Sequence, residues 1–98
     1  MYFVYILQSR KDNGYYIGYT ANLERRLNER NSGKTRSLLH RIPLDIIHFE
    51  EFESKRDAKA RECQIKSWKG GESFKRLMEG PRRSLRQRLR RVFAPPRF

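Results

Sequence analysis

The 98-residue sequence predicts an α+β domain, and three observations carry that prediction. Two strand-type runs, residues 2–8 and 15–19, flank Asp12-Asn13-Gly14, a turn whose Asn and Gly accept positive φ at little cost. A third run, residues 44–52, is again rich in branched and aromatic side chains. Helical patterns with cap signals lie between and after these strands, with Leu23 and Leu27 on one core stripe and Ala58 and Ile65 on another.

Each element follows from its own residues. Residues 2–8 are almost continuously apolar, which suits a strand buried on both faces. With the hairpin loop at 10–13, residue 7 pairs with 16 and residue 5 with 18. Tyr5 and Tyr16 then point to one face, and Gly18 opposite Tyr5 leaves room for a ligand. Asn22 caps a helix to Asn31, which Ser32-Gly33 stops. Residues 33–43 form a polar, basic loop ending at Pro43. The third strand follows, with His48 alternating with Ile47 and Phe49. Ser54 and Asp57 have capping-box spacing and open a helix to Trp68. Gly70-Gly71 breaks it, and residues 72–78 form a short third helix.

Lys and Arg number 23 against 11 acids, a net charge of +12. That imbalance selects polyanionic partners, nucleic acid ahead of an anionic membrane surface. The apolar runs are strand-length, far below the ~20 residues that span a bilayer. A composition boundary at Gly80-Pro81 divides a domain, 1–80, of charge +5 from an arginine-rich tail, 81–98, of charge +7. In the tail, Leu85, Leu89 and Val92 recur at helical spacing among arginines. A nucleic-acid clamp, a membrane or partner contact, and a disordered solubilising tail all fit that pattern. One cysteine, Cys63, excludes an intramolecular disulfide and suits a reducing cytosol. With only His40 and His48 beside it, a structural zinc site is disfavoured. The N-terminus reads as a strand, not a secretion leader, which favours the cytoplasm.

Glu62 is the most informative polar residue. Ala58, Glu62 and Ile65 fall at i, i+4 and i+7 on one otherwise apolar helical face. A carboxylate there needs compensation. It is either one half of a buried ion pair with Arg26 or Arg61, or a single ligand for a hard divalent ion such as Mg2+. Arg26 lies at the flank of its helix, as a bidentate phosphate clamp or as a surface residue. Tyr5 and Tyr16 are packing residues or, beside a metal and a phosphate, groups that orient or deprotonate water. Together, two phenols, a guanidinium and an inward carboxylate on a very basic chain point to metal-assisted attack on a phosphodiester. Gly33-Lys34-Thr35 imitates a phosphate-binding loop but follows a helix, so it is rejected as a nucleotide site.

The ordered motifs resemble the GIY-YIG nuclease superfamily. Phe3-Val4-Tyr5 corresponds to the first half-motif and Tyr16-Ile17-Gly18 to the second. Thr20 to Leu27, Asn31-Ser32-Gly33, Phe49-Glu50-Glu51-Phe52, Ala58, Arg61-Glu62, Ile65-Lys66 and Trp68 continue the pattern. The match covers residues 2–78 and is most similar to small, single-domain, excinuclease-subunit-C-like (UPF0213-type) proteins of bacteria. Tyr19 stands where many members carry lysine, and Arg30 where histidine or tyrosine is usual. The resemblance implies a three-stranded antiparallel sheet flanked by helices, and metal-dependent hydrolysis of nucleic-acid phosphodiesters with Mg2+ or Mn2+. It maps Tyr5, Tyr16, Arg26 and Glu62 onto the catalytic tyrosines, arginine and metal-binding glutamate, and leaves open which phenol acts as base. Arg30, Lys34, Arg36, Arg41, Arg82, Arg83 and Arg86 are candidate nucleic-acid contacts. DNA is favoured over RNA, DNA repair is the implied setting, and a protein partner can supply specificity. The alternative is a non-catalytic nucleic-acid-binding module on the same scaffold.

Overall fold

The computed structural model describes residues 1–33, 41–79 and 89. Strands β1 (Tyr2–Ser9) and β2 (Tyr15–Thr20) form an antiparallel hairpin, and β3 (Leu44–Phe52) pairs antiparallel with the other side of β1. The sheet order is therefore β2-β1-β3. Leu7 pairs with Tyr16 and Tyr5 with Gly18, the register that the turn predicts. Asn13 takes φ of 60°, and Asp12 Oδ1 accepts the Gly14 N–H at 2.7 Å. The buried Ser9 hydroxyl accepts from the N–H groups of Lys11 and Asp12. It donates to the Arg41 carbonyl at 2.6 Å, tying the hairpin to the chain entering β3.

Strand alternation gives β1 two buried faces. Phe3, Tyr5 and Leu7 join Leu44, Ile46 and Phe49 beneath helix α1 (Leu23–Asn31), which contributes Leu23 and Leu27. Val4 and Ile6 face the other way, toward helices α2 (Lys55–Trp68) and α3 (Glu72–Met78), and pack with Ala58, Ile65 and Phe74. Each fully buried Leu, Ile or Phe contributes about 1.5–3 kcal/mol to this arrangement. Simple alternation along β3 is corrected by a bulge. Ile6 pairs with His48 but Leu7 with Ile46, so Ile47 is the extra residue. The bulge lets Leu44, Ile46 and Phe49 share one face while Ile47 packs with the opposite cluster.

Short side chains fix the joints. The Asn22 carboxamide accepts the Arg25 N–H at 3.0 Å and the Ser54 hydroxyl accepts that of Asp57 at 3.1 Å, so both predicted caps are formed. Asn31 clamps the end of α1 to β3, accepting from Leu44 N–H at 2.7 Å and donating to its carbonyl at 3.1 Å. Gly70, at φ of 87°, supplies the left-handed turn after α2. Leu89, helical and partly buried, packs against the α1-side cluster. Lys34, Arg36, His40, Leu85, Val92 and the candidate contacts Arg82, Arg83 and Arg86 lie outside the described residues.

Candidate active site

The hairpin register brings the two phenols to the α1 side of the sheet. Tyr5 is 3% exposed, and its ring crosses Gly18 so closely that a Cβ there would come within 2.7 Å of Tyr5 Cζ. The space opposite Tyr5 is thus filled by its own ring, which corrects the expectation of room for a ligand. Tyr16 is half-buried, with its neighbours in the same cluster. Its oxygen accepts a hydrogen bond from Arg41 Nη1, and the Arg41 guanidinium lies over its ring, 5.5 Å from the centroid. Arg41 Nε pairs with Asp12 Oδ2 at 3.4 Å. The hydrogen bond to Tyr16 comes first among the causes that raise the Arg41 pKa above its ordinary value, followed by the charge interactions with Tyr16 and Asp12.

Arg26 sits on α1, which covers this same face. Its Nε is buried and has no hydrogen-bond partner among the described residues. A guanidinium N–H in that condition is a donor awaiting an acceptor, and an anion's oxygen supplies one.

Glu62 enters from α2, the helix on the opposite side of the sheet. Its neighbours Ala58 and Ile65 are fully buried, while the Glu62 side chain is 13% exposed. Of the two alternatives for Glu62, the ion pair with Arg26 or Arg61 is not the one found. Lys66, one helical turn on, takes Glu62 Oε1 at 2.9 Å, and Arg61 binds Glu50. The Glu62 hydrogen bond raises the Lys66 pKa, as do the charges of Glu62, Cys63 and Tyr5 in that order. Tyr5 therefore lies within electrostatic reach of the Glu62–Lys66 pair. The four candidates come from three parts of the fold: Tyr5 and Tyr16 from the hairpin, Arg26 from α1 on one face of the sheet, and Glu62 from α2, the helix packed on the other face. Lys66 was readable as an i, i+4 partner of Glu62. The Arg41–Tyr16 contact had no local signal, since 25 residues separate the two.

Among the described residues no group of three or more His, Cys, Asp or Glu is gathered to cage a metal. The donor chemistry still fits Mg2+ or Mn2+, because a hydrated hard ion needs one or two carboxylates and completes its shell with water and phosphate oxygens. Glu62, largely buried and paired to one exposed lysine, is such a carboxylate.

A second polar cluster joins β3 to α2. Glu50 Oε1 accepts from Arg61 Nε at 2.8 Å, and Oε2 accepts from Arg61 Nη2 at 3.2 Å with His48 Nε2 2.8 Å from the same oxygen. Arg61 also donates to Gln64 and stacks on Trp68 at 5.0 Å. Hydrogen bonding from His48, then from Arg61, pushes the Glu50 pKa down to about 2 against the opposing effect of burial.

Residues 1–75 match the GIY-YIG catalytic domain. The chain belongs to the GIY-YIG family. Its relatives include a UPF0213 protein of Syntrophus aciditrophicus, 36% identical over 83 residues, which covers 83% of this chain and 94% of that protein. A UPF0213 protein of Streptococcus pneumoniae is 37% identical, covering 85% and 84% of the two chains. One from Haloquadratum walsbyi is 38% identical, covering 68% and 75%, and the group extends across bacteria and archaea. The solution structure of a UPF0213 protein from Bacillus halodurans aligns with a TM-score of 0.43 at 28% identity, over 97% of this chain and 89% of that one. GIY-YIG domains are generally endonucleases, and the domain implies a nucleic-acid substrate. No helix among the described residues is long and apolar enough to cross a membrane.

Proposed function

We propose that this GIY-YIG chain is a metal-dependent endonuclease that hydrolyses phosphodiester bonds of nucleic acid, DNA in preference to RNA. The observation that carries the reading is the buried Nε of Arg26, without a hydrogen-bond partner among the described residues, on a helix that covers the side of the sheet bearing both phenols. A non-bridging phosphate oxygen would satisfy that N–H and gain a charge-assisted bond. Arg26 then stabilises the charge that builds on the phosphoryl group.

Tyr5 and Tyr16 hold the attacking water, whose oxygen bonds to phosphorus as its proton passes to the oxygen of an ionised phenol, or to a phenol that releases its own hydrogen to solvent in the same step. The phosphorus bond to the leaving nucleotide oxygen breaks, and that oxygen takes a proton. Glu62 would hold Mg2+ or Mn2+, and Lys66, mostly solvent-exposed, can turn aside from the carboxylate. The ion, when bound, neutralises developing charge on the phosphate oxygens. Residues 1–80 carry this chemistry in the reading, and the arginine-rich residues 81–98 add to the grip on nucleic acid. Arg30, Lys34, Arg36, Arg82, Arg83 and Arg86 contact the phosphate backbone. A protein partner supplies specificity in a cytoplasmic DNA-repair setting.

The test is cleavage of end-labelled flapped DNA, duplex DNA and single-stranded RNA by the full chain, with Mg2+, with Mn2+ and with chelator. Internal cuts that vanish in chelator, strongest on DNA, are expected. Salt-sensitive binding with no cuts in either metal would replace this reading with the non-catalytic binding module.

A further inference from the structure

We propose that Arg41 is a positioning residue for Tyr16, holding that phenol for the reaction instead of contacting the nucleic-acid backbone; this rests on the nuclease reading. The residue is fixed at both ends. Its carbonyl accepts from the buried Ser9 hydroxyl at 2.6 Å, which pins its backbone to the end of β1. Its side chain spans from the hairpin turn to the phenol, with Nε on Asp12 Oδ2 at 3.4 Å and Nη1 donating to the Tyr16 oxygen. Asp12 is itself held by the Gly14 N–H at 2.7 Å. The guanidinium also covers the Tyr16 ring, so one side chain restrains the phenol through both its face and its oxygen.

Two chemical consequences follow. A phenolic oxygen that accepts from a guanidinium must turn its own hydrogen to the other in-plane direction, which aims the O–H away from Arg41. Negative charge on that oxygen, present whenever the phenol has given up its own hydrogen, also meets a cation already in place, with no reorganisation at the moment of reaction. A backbone-contact arginine behaves otherwise. Its donors face solvent and a passing phosphate, whereas Nε and Nη1 of Arg41 are directed to a carboxylate and a phenol of its own chain. The charged form of Arg41 is favoured by both neighbours, Tyr16 first.

The experiment compares the full chain with Arg41→Met, Arg41→Lys and Asp12→Asn. Three readouts are taken: single-turnover cleavage of a flapped DNA with Mg2+, the salt dependence of its binding, and ring-flip rates from 13C-labelled tyrosine, with Tyr16 assigned through Tyr16→Phe. The Met variant should lose about 10²-fold in rate at saturating protein, the scale of one preorganised electrostatic group. The Lys and Asn variants should fall between, the salt slope should hold, and the Tyr16 ring should flip faster in the Met variant. An unchanged single-turnover rate, with a salt slope lower by about one, would make Arg41 a phosphate contact and overturn the proposal. Unchanged Tyr16 ring dynamics would also overturn it. If the wild type cuts nothing, the nuclease reading fails on its own, and the ring measurement still decides whether Arg41 restrains Tyr16.

Discussion

Across the β1–β2 ladder, Gly18 and Tyr5 act as one unit: the missing Cβ is the condition for the ring's position. Gly18→Ala should destabilise the chain by about 1–3 kcal/mol, because Tyr5 must leave a packed site. Urea denaturation measures this, and in a Tyr5→Ala background most of the penalty should disappear. An equal penalty in both backgrounds would show that the ring is not what the glycine accommodates. The pairing of Tyr5 with Gly18 was legible in the sequence, since a short turn between two strands sets its own register. What Gly18 makes room for was not, because side-chain direction across a sheet depends on packing from above. Arg41 shows the same limit more strongly. Its position relative to Tyr16 depends on the path of a long connection, which no local pattern reports.

Elements were legible where a local chemical signal marked them. Asn22 and Ser54 cap their helices as their residue types dictate, and Gly70 turns the chain after α2. The bulge at Ile47 was hidden, since a run of branched residues looks alike in either register and only pairing with β1 reveals the extra residue. The joint between β3 and α2 likewise needed three-dimensional proximity: Glu50 and Arg61 are 11 residues apart. That joint predicts a pH dependence. With its pKa pushed down to about 2 in the folded chain, Glu50 contributes stability above its ordinary carboxylate range and loses it as pH falls. Allowing for solvent screening, the contribution is about 1–3 kcal/mol near neutrality. Glu50→Gln should be less stable by that amount at about pH 6, and the gap should narrow between about pH 5 and pH 2.5. A gap constant across that window, measured by denaturant titration, would remove Glu50 ionisation from the stability of the joint.

At the scale of the whole molecule, charge and packing meet at the C-terminal stretch. Its seven arginines suggest a phosphate-binding arm, yet Leu89 packs against the cluster that contains Tyr5. Deleting residues 81–98 should therefore do two things. It should flatten the log–log salt dependence of nucleic-acid binding by nearly one unit for each arginine that meets a phosphate. It should also lower stability by about 2–4 kcal/mol, and Leu89→Ala alone should reproduce much of that loss without changing the salt slope. A deletion that leaves both quantities unchanged would mean that the stretch neither grips the backbone nor covers the core. Metal-dependent cleavage itself turns on one carboxylate. Glu62→Gln keeps the side chain's size and removes the charge that would hold the ion. Its single-turnover rate with Mg2+ on a DNA that the wild type cuts should fall by at least about 10³-fold while affinity stays within about twofold, since binding is carried by the cations. Cleavage by Glu62→Gln at the wild-type rate would mean that Glu62 does not hold the ion.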